Sequence, residues 1–259
     1  MGVKRERINQ RLRTAPKGAV LTSAWLKDLG VSNRLADYYA GSGWLYRVGE
    51  GAFTTHPEDP TWLGAVYGLQ HKSHSFHPGG RTALELSGLA HFLPLGDAHP
   101  LYLFSRTKDR LPVWFTRLPG AERFQHVRTN FLPQGMGLRE HQEGGLSVLV
   151  SAPERAVLEF LQALTPDASG YDHANLIFEG LGTLRPELVQ SLLEACASIK
   201  VRRLFLHLAE RHNHAWFRQL SLEKISLGSG KRVLFPGGRL DSKYLITVPV
   251  LEEPPADAP

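Results

Sequence analysis

The first fifth of the chain alternates short helical patterns with turn signals. Ile8 and Leu12 stand four residues apart amid charges, which predicts an amphipathic helix over 4–14 that Pro16 and Gly18 end. After the apolar run Ala19-Val20-Leu21, the hydroxyls of Thr22 and Ser23 are placed to cap a helix over about 23–29, and Gly30 closes it. Ser32 caps a second helix, about 33–41, which stops at Gly41-Ser42-Gly43. Trp44–Val48 and Ala52–Thr55 then flank Gly49-Glu50-Gly51, the pattern of a β-hairpin. Helix, short strand, helix, tight turn, helix, hairpin is the order of a winged helix-turn-helix. In that module the helix after the tight turn enters the DNA major groove.

Beyond residue 56 the pattern changes twice. Helical spacing is expected over 62–72 and from Arg81 to Phe92, and strand-type runs from about 100 to 150. These runs are Leu101–Phe104, Val113–Phe115, Arg123–Phe131, and a hairpin with arms at 138–141 and 146–150. Pro153 opens a helical stretch with further helices over about 172–181, 186–197, 200–212 and 214–219. Strands return over 222–250, and the acidic, Pro-rich 252–259 is expected to be disordered. The fold class is therefore α+β, with a winged-helix domain over 1–75, a mixed domain over 76–251 and a tail.

Composition is that of an ordinary globular protein, with 42% hydrophobic and 21% charged residues in 259. The lone cysteine, Cys196, excludes an internal disulfide. It points to a reducing, cytoplasmic setting. There is no apolar run long enough for a membrane span, and the basic N-terminus lacks the apolar stretch of a secretory signal.

The net charge of +5 is unevenly placed. Residues 1–55 hold nine basic and four acidic side chains, which accounts for the whole excess, and the remainder is balanced at 21 of each. A basic terminal module points to a polyanionic partner. On the second helix Leu35 and Tyr39 are expected to face the core, leaving Asn33, Arg34, Asp37 and Tyr38 outward. Arg can bond guanine bidentately, Asn can bond adenine and Tyr can reach phosphate. Lys4, Arg5 and Arg7 ahead of the helices, with Arg47 and Thr54 on the hairpin, are the candidate backbone contacts.

Other constellations carry less. Gly228-Ser229-Gly230-Lys231-Arg232 fails the phosphate-loop spacing, since Ile225 stands where the first glycine belongs and Arg232 where a hydroxyl belongs. Lys231, Arg232, Arg239 and Lys243 nevertheless make a candidate second basic patch. His71, His74 and His77 recur every third residue, but Pro78-Gly79-Gly80 breaks the segment and no metal is expected. His207, His212 and His214 are read as structural or surface histidines, and Cys196 as a small buried hydrophobe. Lys200, Arg202, Arg203 and Arg211 read mostly as the solvated basic face of an amphipathic helix. No catalytic signature or cofactor site is found, which favours a binding protein over an enzyme.

Taken together, Leu21-Thr22-Ser23-Ala24-Trp25-Leu26, Gly43-Trp44-Leu45, Gly80–Leu86 with Gly88–His91, Val201–Leu206 with Ala209–His212, and Leu227–Arg232 leading to Ile246–Pro249 resemble the AbiEi family. These are the antitoxins of type IV toxin–antitoxin and abortive-infection (phage defence) systems. The resemblance spans nearly the whole chain and rests on packing residues and a few charges. It implies an antitoxin domain after the winged helix, and repression of the protein's own operon through double-stranded operator DNA, expected to be an inverted repeat. It also implies opposition to a nucleotidyltransferase-like toxin without need of a stable complex. Two other readings stay open on the residues alone: a stand-alone winged-helix regulator whose C-terminal domain senses a ligand, and a nucleic-acid-processing enzyme targeted by its winged helix.

Overall fold

A computed structural model describes residue 12 and residues 15–57, 60–73, 75–89 and 99–249. The expected helix over 4–14 and the acidic tail lie outside the described residues, although Leu12 itself is helical and fully buried. The chain is mixed α+β and separates into two compact units, neither of them one continuous segment. The first draws on Met1–Gly79, Gly96–Asn130 and Leu138–Ser151, and the second on Gly80–Leu95, Phe131–Gly137 and Ala152–Pro259.

The first unit opens with β1 (Leu21–Thr22), α1 (Ser23–Asp28) and α2 (Asn33–Gly41), followed by the hairpin β2 (Tyr46–Gly49) and β3 (Ala52–Thr54). These strands form an antiparallel sheet in the order β1-β3-β2. Helix α3 (Trp62–Lys72) follows, capped by the Thr61 hydroxyl, which accepts from the Gly64 amide at 3.0 Å. It lies directly on the backbone of residues 18–20. A Cβ at Gly64 would stand 1.7 Å from the Gly18 carbonyl oxygen, so no other residue fits.

The expected boundary near residue 75 falls inside this unit, because α3 is bound to strands far along the chain. Buried Gln70 donates to the carbonyls of Phe76 (2.9 Å) and Leu149 (2.7 Å) and accepts from the Leu149 amide (2.8 Å). A side-chain amide thus pairs with the Leu149 backbone as a neighbouring strand would. The strand β4 (His77–Pro78) pairs antiparallel with β5 (Leu101–Ser105), which pairs parallel with β6 (Phe124–Arg128). The run Val113–Phe115, expected as a strand, is instead a short helix, α5 (Val113–Thr116). Parallel neighbours need a crossover, and α5 lies within the one that joins β5 to β6. The expected hairpin is present as β7 (Leu138–Glu143) and β8 (Leu146–Ser151).

The second unit is largely helical. It contains α4 (Gly80–Glu85), α6 (Pro153–Ala163), α7 (Ala168–Glu179), α8 (Pro186–Ala195) and α9 (Ile199–Arg211), with a small antiparallel pair, β9 (Arg239–Asp241) and β10 (Ile246–Val248). The segment expected to be helical over 214–219 forms a single 3-10 turn at Phe217–Gln219. The core joins Leu158 and Leu161 of α6, Phe178 of α7, Leu192 of α8, and Leu204, Phe205 and Leu208 of α9. Two buried charged groups, Arg155 and Glu154, are matched there. Arg155 donates to Glu159 (2.7 Å) and to the carbonyls of Pro133 and Met136, both at 2.8 Å. Glu154 accepts two hydrogen bonds from the Arg185 guanidinium and one from its amide. Burial pushes the Glu154 carboxyl up, but its bonds to Arg185 more than reverse this and leave it below the ordinary carboxylate range.

Candidate nucleic-acid interface

The geometry of the helix pair begins with its caps. The Thr22 hydroxyl accepts from the Trp25 amide at 3.2 Å, and the Ser32 hydroxyl from the Leu35 amide at 3.3 Å. Between the helices Gly30 takes φ +81°, the left-handed conformation that glycine adopts without steric cost. The pair is seated on Leu26, Val31, Ala36, Tyr39 and Leu45, all buried. The inward face of α2 is therefore Ala36 with Tyr39, and Leu35, expected in the core, is half-buried at its margin.

That rotation leaves the outward face as expected. Asn33, Arg34, Asp37 and Tyr38 are all exposed, and Tyr38 is 62% accessible despite its size. Arg34 has no ion pair among the described residues. Arg47, on β2, forms an ion pair with Asp37 of α2, and its guanidinium lies 4.9 Å from the centre of the Phe53 ring. The pair ties the hairpin to the helix and neutralises the one carboxylate on the exposed face of α2. With Asp37 neutralised, Arg34 is left as that face's uncompensated charge.

Thr54 does not take part. It sits on β3, the central strand of the sheet, is 1% exposed, and its hydroxyl accepts from the His56 amide at 3.5 Å. At 1% exposure the side chain offers a phosphate no surface to reach. Lys4, Arg5 and Arg7 lie outside the described residues.

Lys231, Arg232, Arg239 and Lys243 are all exposed in the second unit. Lys243 is already paired with Glu210. Beneath this surface lies Arg203, whose burial overturns the expectation of a solvated basic face. It is fully buried, and its guanidinium donates to the carbonyls of Leu227 (2.7 Å), Gly230 (2.7 Å), Leu245 (2.9 Å), Gly228 (3.3 Å) and Ser229 (3.4 Å). Arg202 is buried as well, and Lys200 is half-buried with its ammonium 3.4 Å from the Leu164 carbonyl. Gly228-Ser229-Gly230 is thus a loop moulded around a structural cation.

The described histidines divide between surface and core. His71 meets Asp28 at 2.9 Å on the surface, whereas His77 is buried and stacks on Phe104. His207 is held between the Tyr171 hydroxyl (2.9 Å) and Asp241 (2.6 Å). Among the described residues no three His, Cys, Asp or Glu side chains are grouped to hold a metal. Cys196 is buried, and burial pushes its thiol up, away from the reactive thiolate. Among the described residues no helix is long and apolar enough to cross a membrane.

Family profiles place this architecture. One described as the transcriptional regulator, AbiEi antitoxin N-terminal domain, matches residues 4–95. A second, described as the transcriptional regulator, AbiEi antitoxin of type IV toxin–antitoxin systems, matches residues 98–249. The chain belongs to the AbiEi antitoxin family. The family is described as one of antitoxin transcriptional regulators. A comparison with curated proteins finds no match. Among solved structures, the RV2827C protein from Mycobacterium tuberculosis aligns over 95% of this chain and 91% of its own, with a TM-score of 0.57. At 14% identity this likeness speaks for a shared fold alone.

The sequence did not single out the loop Arg106–Arg110. It brings three cations and one carboxylate, Asp109, beside the turn of the hairpin, and Lys108 and Arg110 line a cavity there. No periodicity marks such a loop, because its position depends on the β5–β6 crossover.

Proposed function

We propose that this AbiEi-family protein is a cytoplasmic, non-enzymatic repressor that binds the operator DNA of its own operon and counteracts a nucleotidyltransferase-like toxin. The observation that carries the DNA-binding reading is the exposed face of α2, where Asn33, Arg34 and Tyr38 project from a helix fixed by its caps and by the Arg47–Asp37 pair. Arg34 and Asn33 read base edges in the major groove and Tyr38 reaches a phosphate. Arg47 sets the hairpin against the helix and adds positive charge at the rim. An inverted-repeat operator would place two protomers across it.

The domain expectation carries over in altered form. The winged helix, Leu12 to about Thr55, is the DNA-binding module, and the second unit is the antitoxin module. The toxin half of the proposal rests on family membership. Binding to labelled DNA from upstream of the protein's own gene, measured by fluorescence anisotropy at fixed salt, tests the first half. Affinity no greater than for scrambled DNA of equal length would refute it. Co-expression with the adjacent gene tests the second, with restored growth expected and persistent toxicity counting against it.

A further inference from the structure

The first unit carries a half-open cavity of about 480 Å³, a volume typical of small-molecule sites. Its apolar lining includes Leu69, Phe76 and Trp114, all buried. Gly51, Gly68 and Ala24 also line it, and Ser23 and Ser73 add hydroxyls. Lys108 and Arg110 also line it, on either side of Asp109. Asp109 lines the cavity too, and its charge is met by Arg106 at 3.3 Å. Neither Lys108 nor Arg110 has an ion pair among the described residues.

Positive charge above a buried aromatic floor selects for a particular chemistry. We propose that this cavity is a binding site for a small molecule bearing an anionic group on a flat apolar body, either an aryl carboxylate or a nucleoside phosphate. The cations meet the anion, and Trp114, Phe76 and Leu69 cover the body. A DNA backbone satisfies the first requirement and leaves the floor empty.

The site is built from the elements that set the winged helix. Ser23 begins α1, and its amide donates to the Gly51 carbonyl at 2.8 Å in the turn of the hairpin. Gly49 on β2 rests on Trp114 so closely that a Cβ there would stand 2.8 Å from the Trp114 Cβ. A ligand that shifts Trp114 therefore shifts the hairpin, and with it Arg47. Occupancy changes DNA affinity, a consequence that rests on the DNA-binding reading above, whereas the site itself does not.

The experiment uses the full chain and two fluorescent probes of one skeleton, 1-anilinonaphthalene-8-sulfonate and the uncharged N-phenyl-1-naphthylamine. One sulfonate probe per chain is expected, bound about tenfold more tightly than the uncharged one, a difference of about 1.4 kcal/mol. Lys108→Glu with Arg110→Glu, both at exposed positions, removes that preference. Ser73→Trp fills the cavity and abolishes binding of both. Absence of sulfonate binding, or equal affinity for the two probes in the wild type, overturns the proposal. So does insensitivity to the charge reversal, which keeps the test decisive even if the filled variant does not fold.

Competition by adenosine monophosphate or by indole-3-acetate tells phosphate from carboxylate, and displacement by neither overturns the assignment. Saturating probe should change affinity for the upstream DNA by about threefold or more, roughly 0.7 kcal/mol. Probe binding with unchanged DNA affinity overturns the coupling. Probe binding by a chain that ignores its upstream DNA refutes the repressor reading and leaves this site standing.

Discussion

Two helices carry the arginines that matter most here, and they use them in opposite ways. On α2, Arg34 stands in solvent with no ion pair among the described residues. On α9, Arg203 is fully buried against five backbone carbonyls. Both lie on amphipathic helices, and both look like solvated cations when the helix is taken alone. The difference comes from what lies opposite. The loop 227–230 and the turn at Leu245 bring carbonyl groups to Arg203, and a guanidinium with five N–H donors satisfies them together. Among the described residues nothing covers Arg34. A cation that the fold itself uses holds the molecule together, and one left uncovered is available to a partner.

Substitutions at these two positions should separate stability from binding. The largest effect is expected for Arg203→Met, which takes the donor from the carbonyls of Leu227 and Gly230 and should cost about 3 kcal/mol in urea unfolding. Lys in its place, with three donors and no planar fork, should recover part of that loss. A stability change under 1 kcal/mol would mean that water replaces the guanidinium freely. Arg34→Ala should do the reverse, weakening operator affinity by ~1–3 kcal/mol and relaxing sequence preference while unfolding stays within about 0.5 kcal/mol of wild type. Unchanged operator binding would remove α2 from the role of reading helix.

A pH titration sharpens the same contrast, because the covered histidines lie in the unit that buries its arginines. Burial holds His207 and His212 below their ordinary value of 6.5; Asp241 offsets part of this at His207, and His214 and Arg211 add to it at His212. With the folded pKa depressed, the unfolded chain binds more protons between the folded value and 6.5. The contribution to stability is thus fully present above 6.5 and is lost as pH falls below it. Urea midpoints should drop from pH 7.5 to pH 5.5, and less so in a His207→Gln, His212→Gln variant. Equal slopes in the two proteins would assign the acid sensitivity elsewhere.

The smallest effect concerns the Arg47–Asp37 pair, half exposed and worth about 0.5 kcal/mol in stability. Arg47→Ala should weaken binding to every DNA sequence and flatten its salt dependence. Removing Asp37 as well should recover part of the loss, because the helix then carries no uncompensated carboxylate. Simple additivity of the two changes, measured by anisotropy across a salt series, would show that the pair is not coupled on DNA.

Much of the winged helix was legible in the sequence because its signals are local. Thr22, Ser32 and Gly30 act on their own turns, and the hairpin follows from Gly49-Glu50-Gly51 between strand-forming runs. The outward set on α2 survived the shift from Leu35 to Ala36 because a helix face is wide enough to tolerate one position of rotation. Thr54 was misjudged because strand order is a long-range property. It lies on the central strand of the sheet and is 1% exposed, which the hairpin pattern alone does not disclose. Val113–Phe115 was misjudged for the same reason, since an apolar triplet does not disclose that β5 and β6 run parallel.

By itself, then, the sequence determined the α+β character, the family, the capped helix pair and the concentration of excess charge in the first 55 residues. Each of these follows from neighbours within a few positions or from composition. Tertiary structure alone decided which cations are free. Burial of Arg203, pairing of Arg47 with Asp37 and the lining of the cavity by Lys108 and Arg110 all require groups distant in the chain to meet. The free energy of a charge depends on what surrounds it, and what surrounds a residue is set by the fold.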